Sequence, residues 1–154
     1  MSALRVRPGS AEDDAELLTW FPTPEDLLRF AGPDVQWPLS ADQLARWRAD
    51  PQIRVWAATS GAGRIVGYTQ LVDTEPGSAR LARVAVAPHA RGAGVGGALL
   101  AAVLRDAQER GLACVDLNVY EDNEPARRLY GSLGFVDLGP TPGYDGMRRM
   151  GRRL

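Results

Sequence analysis

One stretch, RVAVAPHARGAGVGGALLAAV from Arg83 to Val103, constrains the fold more than any other part of the chain. An apolar, β-branched run leads into a loop where four of six residues are glycine, and a long apolar helix follows. Glycine loses much conformational entropy on folding, so a loop this rich in it indicates a backbone that approaches something closely. Successive N–H groups at a helix N-terminus bind anions. The stretch therefore predicts a strand, a phosphate-binding loop and a helix.

The bulk composition indicates one globular domain over residues 1–154. Hydrophobic residues make up 45% of the chain and charged residues 24%, and the net charge is −1, which is typical of globular proteins rather than disordered ones. All 18 basic residues are arginine, and 19 acidic residues balance them. The charge therefore gives no indication of a nucleic-acid partner.

The N-terminus and the rare residue types exclude further classes. MSALRVRPGS lacks the apolar core of a signal peptide, and no window approaches the length of a membrane span, so we expect a cytoplasmic protein without a membrane partner. Cys114 is the only cysteine and His89 the only histidine, which excludes an internal disulfide and a metal site built on either residue type. We expect no bound metal.

The first third of the chain predicts one strand and three helices. The strand ALRVR stops at Pro8 and Gly9. Good N-cap residues then precede each helical pattern: Ser10 before a helix to about Trp20, Thr23 before a helix that ends at Gly32, and Ser40 before one that stops at Pro51. Gln43 makes Ser40 a candidate capping box.

From Ile53 onward the apolar period changes to that of strands. IRVWAAT, RIVGYTQLVDT and ARLARVAVA are rich in β-branched residues and are separated by glycine-containing turns, which predicts three successive antiparallel strands. A helix over 96–111, the strand ACVDLNVY, a helix capped by Asn123, and the strands GFVDL and MRRMGRRL complete the order. The sequence thus predicts an α/β protein whose sheet has about seven strands.

The glycine loop also formally fits a dinucleotide-binding fingerprint. Gly92, Gly94 and Gly97 match G-x-G-x-x-G, and Asp116 follows 19 residues after Gly97. However, four residues separate the strand from the first glycine, and Asp116 falls inside a strand rather than at its end. The preceding strands also have the pattern of a meander rather than of βαβ units. We therefore reject a Rossmann fold.

Two segments resemble the GCN5-related N-acetyltransferase (GNAT) superfamily. RGAGVG, from Arg91 to Gly96, fits the acetyl-CoA-binding pattern Arg/Gln-x-x-Gly-x-Gly/Ala between a strand and a helix. LNVYEDNEPARRLYGSLGF, from Leu117 to Phe135, is similar to the second cofactor segment of that superfamily. The resemblance implies a single-domain fold with a mixed, mostly antiparallel sheet flanked by helices, whose splayed central strands hold acetyl-CoA.

The resemblance also assigns roles to particular residues. It implies that strand residues Val84, Ala85 and Val86 pair with the pantetheine arm and the thioester carbonyl, and that Asn123 and Tyr130 contact the cofactor. The pyrophosphate is expected to lie against the loop residues Arg91, Gly92, Ala93, Gly94, Val95, Gly96 and Gly97.

The implied reaction is direct attack of a neutral primary amine on the acetyl thioester. A backbone N–H of the splayed strand, that of Val86, would stabilise the developing oxyanion. Tyr130 would protonate the departing thiolate, because a phenol keeps its proton at pH 7. The alternative for Tyr130 is a packed aromatic residue. The alternative function is a catalytically silent acetyl-CoA-binding sensor or interaction protein.

The general base is open at this stage. Asp73, Glu75, Asp116 and Glu121 are carboxylates on or near the central strands, and each is also explained as a solvated or structural acid. Asn118 stands where acetyltransferases that resemble ribosomal-protein modifiers place a glutamate, and an amide cannot act as a base. A chain of water molecules is the remaining alternative.

The acceptor amine, a small molecule or a peptide, is expected to meet the helical insertion between the first two strands. Four aromatic residues there stand among prolines and are expected to shape the acceptor pocket, with Asn118 as a further lining residue: Trp20, Phe21, Phe30 and Trp37. Asp34 adds negative charge that would attract a cationic amine. The alternative is that these rings cap the core. The resemblance also leaves a homodimer open.

Overall fold

The computed structural model describes residues 4–154, and its sheet and helices follow the predicted order. The strands are β1 (Arg5–Pro8), β2 (Ile53–Thr59), β3 (Ile65–Glu75), β4 (Ser78–Val86), β5 (Cys114–Tyr120), β6 (Val136–Pro140) and β7 (Met147–Arg153). The helices are α1 (Asp14–Leu17), α2 (Pro24–Ala31), α3 (Ala41–Ala49), α4 (Val95–Glu109) and α5 (Glu124–Ser132).

The caps of the early helices agree with the sequence in part. The side chains of Thr23 and Ser40 each accept a hydrogen bond from the third residue of their helix, at 3.1 Å in both cases. The box at Ser40 is only half formed, because the Gln43 side chain accepts from Arg46 instead of returning to the cap. The helix predicted to reach Trp20 is also broken: α1 lies between two 3-10 turns, Ala11–Asp13 and Leu18–Trp20.

The seven strands form one sheet in the order β1-β2-β3-β4-β5-β7-β6. The pairs β1–β2, β2–β3, β3–β4, β5–β7 and β6–β7 are antiparallel, and β4–β5 is the parallel one. The three consecutive antiparallel strands confirm the predicted meander and are incompatible with repeated βαβ units. The mixed, mostly antiparallel sheet of the sequence analysis is therefore confirmed.

Helices cover both faces of the sheet. On one face α4 lies so close to β3 that a Cβ on Gly67 would stand 3.0 Å from the Val95 side chain and 3.3 Å from that of Leu99. On the other face Phe30 of α2 lies 5.8 Å from the ring of Tyr68 on β3. None of the helices in the described part of the chain combines the length and the apolar character that crossing a membrane requires.

Candidate functional site

The candidate site is a cleft where the two central strands separate. β4 and β5 pair over Ser78–Leu81 and Cys114–Leu117, and no pairing continues beyond Leu81 and Leu117. The strands therefore form a V, with an opening of about 420 Å³ between its arms. Its closed end is held by Arg80, whose guanidinium donates to both carboxylate oxygens of Asp116 at 3.0 and 3.1 Å.

A β-bulge in β4 lies at the start of the opening. Gln70 pairs with Ala82 and Tyr68 pairs with Ala85, so one residue of β3 lies opposite two residues of β4, Arg83 and Val84. Arg83 has a positive φ of 52°, which is uncommon outside glycine. Bulges re-aim side chains and terminate pairing, and this one coincides with the departure of β4 from β5.

Beyond the bulge, the backbone of β4 presents a free hydrogen-bonding edge to the cleft. The N–H of Ala87 donates to the Val66 carbonyl at 2.8 Å, so Ala87 directs its polar groups toward β3. Alternate residues of an antiparallel strand point their N–H and C=O in opposite directions. The N–H of Val86 therefore points away from β3, on the side where β4 has separated from β5, and Val84 is the last residue of β4 that lines the cleft itself. The carbonyl of Val86 is within 3.4 Å of the Arg91 Nε, which donates to it.

The glycine loop joins this strand to α4. Gly92 and Gly94 have φ of 79° and 81°, a left-handed conformation that glycine adopts without strain. The first hydrogen bond of the helix runs from the Ala98 N–H to the Gly94 carbonyl, at 3.1 Å. The N–H groups of Val95–Gly97 therefore have no helical partner and are available to an anion at the positive end of the helix dipole.

Gly96 and Gly97 serve a second purpose that the sequence analysis missed. A Cβ on Gly96 would stand 3.2 Å from Cδ2 of Leu129 on α5, and one on Gly97 would stand 3.7 Å from Cδ1 of the same side chain. These two glycines thus let α4 and α5 approach each other. Four glycines in six residues therefore reflect both the course of the loop and the packing of the two helices.

Tyr130 lies on α5 and Asn123 lies at its N-terminus, and both residues line the cleft. Tyr130 is 7% exposed and packs edge-on against Phe135, with ring centroids 6.1 Å apart. Burial raises the pKa of Tyr130 to about 12, so its hydroxyl keeps the proton at neutral pH. Asn123 caps the helix, since its side-chain oxygen accepts from the Ala126 N–H at 3.3 Å.

The predicted acceptor-pocket aromatics do not all reach the cleft. Phe30 lines it and stacks on Phe21, with centroids 4.3 Å apart. Trp20 does not line it: this side chain is 3% exposed and its Nε1 donates to Glu16, so it belongs to the core. Trp37 is 43% exposed and also lies outside the lining. Asn118 does line the cleft, and its Oδ1 accepts from the Thr141 hydroxyl at 3.0 Å.

The carboxylates considered as general bases lie outside the lining of the cleft. Asp73 contacts Arg110 at 3.5 Å, Glu121 contacts Arg148 at 3.9 Å, and Glu75 is exposed. Burial acts to raise the pKa of Asp116, but hydrogen bonds from Arg80 and Arg149 outweigh it and hold that pKa below its usual range. Among residues 4–154, Asp34 is the carboxylate that lines the cleft.

Sequence reasoning missed several lining residues. Arg29 lies over the Tyr120 ring, with the guanidinium carbon 5.4 Å from the ring centroid, and Arg83 projects from the bulge. Tyr144 enters from the loop between β6 and β7. A bulge and a long loop leave no periodic signal in the sequence, so the pattern of residues gave no indication of Arg83 or Tyr144, and the helical pattern around Arg29 did not show that α2 borders the cleft.

Comparison with known proteins agrees with this architecture. The sequence profile of the acetyltransferase (GNAT) family matches residues 16–135. An uncharacterized N-acetyltransferase from Mycobacterium tuberculosis is 33% identical over 97 residues, which cover 63% of this chain and 62% of that protein. A mycothiol acetyltransferase from Frankia casuarinae is 39% identical over 114 residues, which cover 66% of this chain and 33% of that protein. The chain spans less than two thirds of the length of these relatives.

Solved structures extend the likeness to the whole chain. A GCN5-related N-acetyltransferase from Kribbella flavida has a TM-score of 0.80 at 29% identity and covers 99% of this chain and 98% of that chain. The PaiA N-acetyltransferase from Thermoplasma acidophilum, solved in complex with coenzyme A, has a TM-score of 0.77 at 18% identity and covers 99% of both chains. The second likeness concerns the fold alone. Because the family profile and the fold agree over most of the chain, we conclude that this chain belongs to the acetyltransferase (GNAT) family.

Proposed function

We propose that the protein transfers an acetyl group from acetyl-CoA to a primary amine of a small molecule or peptide. The observation that carries the proposal is the free edge of β4, which begins where β4 separates from β5 and continues in the chain into the glycine loop. An extended molecule with amide groups at one end and a pyrophosphate at the other matches both features.

The residues present fit acetyl-CoA. The N–H groups of Val95–Gly97 and the left-handed glycines Gly92 and Gly94 suit a pyrophosphate, because no Cβ stands between an anion and the main chain there. Val84 and Val86 offer backbone groups to the amides of a pantetheine arm, whereas Ala85, opposite Tyr68 and two residues before Ala87, directs its polar groups toward β3. When bound, acetyl-CoA supplies an acetyl group that its thioester activates toward attack by nitrogen.

The protein's own groups then serve the transfer in two places. The N–H of Val86, which points away from β3, donates to the carbonyl oxygen as negative charge develops there. The hydroxyl of Tyr130 gives its proton to the departing sulfur, and the high pKa of Tyr130 keeps that proton available at neutral pH. An N–H donor and a phenol thus stabilise the two atoms on which charge accumulates.

The proton of the amine leaves by another path. Asp34 is exposed, and the other candidate carboxylates lie outside the cleft lining or are tied to arginines. We therefore assign its removal to water that enters the open cleft. Asn118 cannot take this proton, because its Oδ1 belongs to an amide and already accepts from Thr141.

Two further expectations from the sequence become proposals here. We place the protein in the cytoplasm, where acetyl-CoA is made and used.

We also propose a homodimer, because two apolar side chains of the edge strand β6 are exposed, Val136 to 60% and Leu138 to 57%. Light scattering after size-exclusion chromatography checks this, since a single monomeric mass would contradict the dimer.

Acetyl-CoA binding by the loop is tested by comparing substitutions at two glycines that share the same left-handed backbone conformation. Gly94 in the loop and Gly63 in the β2–β3 turn have φ of 81° and 82°, and a Cβ added to either would meet no atom within 4 Å. Replacing either by valine imposes the same strain, of about 1–3 kcal/mol. We expect Gly94→Val to weaken acetyl-CoA binding in calorimetry at least tenfold, and Gly63→Val to leave it near the wild-type value.

Turnover is measured separately, as free-thiol release from acetyl-CoA over polyamines, aminoglycosides, amino acids and short peptides. Release with one amine class supports the enzyme. Acetyl-CoA binding that depends on Gly94, without thiol release on any amine, would instead favour the acetyl-CoA-binding sensor. Equal binding by the two glycine variants would contradict the assignment of the loop.

A further inference from the structure

The charged residues that line the cleft are unequally paired. The guanidinium of Arg29 lies 3.1 Å from a carboxylate oxygen of Asp122, and that of Arg80 lies 3.0 Å from Asp116. Arg83 also lines the cleft, yet no carboxylate of residues 4–154 lies within 4.0 Å of it. One positive charge at the β4 bulge is thus left without an acidic partner.

The Arg83 side chain is nevertheless held firmly. Its Nη1 donates to Oε1 of Gln70 at 2.7 Å, and its guanidinium carbon lies 4.5 Å from the centroid of the Trp47 ring. Gln70 is fully buried, and its amide nitrogen donates in turn to the Tyr68 hydroxyl at 2.8 Å. Gln70 is neutral, so it orients Arg83 without cancelling its charge.

The rest of the guanidinium has unused donors. Nε is buried without a hydrogen-bond partner, and Nη2 makes no hydrogen bond within the described chain. Nη2 is accessible to solvent, and Arg83 is one of the residues that line the cleft. A half-buried guanidinium with free donors loses hydration without full compensation, which an anionic ligand restores.

We infer that the acceptor amine carries a carboxylate, which Arg83 binds through the free side of its guanidinium. The planar fork of arginine matches the two oxygens of a carboxylate. Arg83 lies three residues before Val86 on β4, so at most about 10 Å of chain separates the two residues. An acceptor that carries its carboxylate close to its amine, as an amino acid does, suits this short separation along the chain. This inference rests on the proposed function.

The experiment compares matched acceptors with saturating acetyl-CoA and the full chain. Thiol release is measured for amino acids and for their carboxamides, which keep the amine and remove the charge. A charge-assisted hydrogen bond contributes about 1.5–3 kcal/mol, so we expect kcat/KM for the acids to exceed that for the carboxamides by roughly 10- to 150-fold.

Three variants separate recognition from folding. Arg83→Met removes the charge, whereas Gln70→Glu keeps Arg83 and the shape of the site but supplies the missing carboxylate. Each is expected to reduce the acid-to-carboxamide ratio toward one through KM of the acceptor, with KM for acetyl-CoA unchanged. Arg54→Met is the control, because Arg54 is an exposed residue of β2 away from the cleft lining, and it should keep the wild-type ratio.

The outcomes distinguish this inference from the proposed function. Turnover on amines with a wild-type acid-to-carboxamide ratio near one would overturn the carboxylate and leave the acetyltransferase standing. Carboxylate recognition by Arg83 would also be overturned if polyamines were the best acceptors, or if Gln70→Glu folded and kept the wild-type acid-to-carboxamide ratio of kcat/KM. A lack of thiol release with every acceptor, charged or neutral, would overturn both.

Discussion

Tyr130→Phe is the substitution that tests the proposed chemistry most directly, because it removes one oxygen and leaves the packing in place. The ring is 7% exposed and rests on Phe135, and neither contact depends on the hydroxyl. Residues 4–154 give that hydroxyl no hydrogen-bond partner, so its removal leaves no donor or acceptor of the protein unsatisfied. Loss of activity in this variant is therefore not a consequence of misfolding.

We expect Tyr130→Phe to lower kcat strongly and to change the unfolding temperature only slightly. A positioned general acid contributes about 10²- to 10⁴-fold to the rate, so we expect kcat to fall at least 100-fold. The Tyr130 hydroxyl has no partner in the described chain and is reached by solvent, so its removal takes away no interaction within residues 4–154. The variant should therefore unfold within a few degrees of the wild-type temperature.

The assay follows thiol release at saturating acetyl-CoA and acceptor, with thermal unfolding recorded on the same samples. Burial raises the pKa of Tyr130 to about 12, so the wild-type kcat should show no loss from ionisation of this residue below about pH 11. A kcat within threefold of the wild type would refute the role of Tyr130 as the acid. A large fall in unfolding temperature would refute the packing argument instead.

Two other predictions concern stability. Burial acts to raise the pKa of Asp116, but hydrogen bonds from Arg80 and Arg149 outweigh it and lower that pKa. The contribution of the Asp116 carboxylate to the free energy of unfolding is therefore complete above the ordinary value of 3.8 and is lost as pH falls through the folded-state pKa. Asp116→Asn should cost about 1–2 kcal/mol at pH 7 and flatten the loss of stability between pH 5 and 2, as measured by urea unfolding; an unchanged pH profile would contradict this. Leu99→Ala empties a fully buried position under β3 and should cost about 3–5 kcal/mol in the same assay, whereas Leu28→Ala, 43% exposed, should cost under 1 kcal/mol; equal losses would contradict the assigned core.

The order of the elements was predictable because each depends on local sequence. Thr23 and Pro24 begin α2, and Gly32 ends it with a positive φ of 80°. Val115, Leu117 and Val119 alternate with polar residues and are all buried, as the period of two predicts. The broken helix before Trp20 was not predictable, since the Thr19 hydroxyl bonds back to the Glu16 carbonyl and competes with a regular turn.

The site was predictable only where motifs carried it. The sequence placed Asn123 and Tyr130 on one helix, and the structure puts both on the cleft wall. It did not reveal that Phe30 faces the cleft while Trp20 faces the core, because α2 and the turn before it pack at angles that no local pattern sets. Nor did it reveal Arg83, whose direction depends on a bulge that two strands form together. The roles of these residues stay predictions until the variants are measured.

The separation of β4 from β5 gives the sheet a third edge in its interior, besides β1 and β6 at its margins. Outer edges invite pairing with other chains, whereas this edge belongs to a cleft that Phe30 and Tyr130 also line. On the proposed function, a bound ligand with backbone-like amides would continue the hydrogen-bond ladder of β4. Amide hydrogen exchange at Val86 should therefore be fast in the free protein and slow once that ladder is filled.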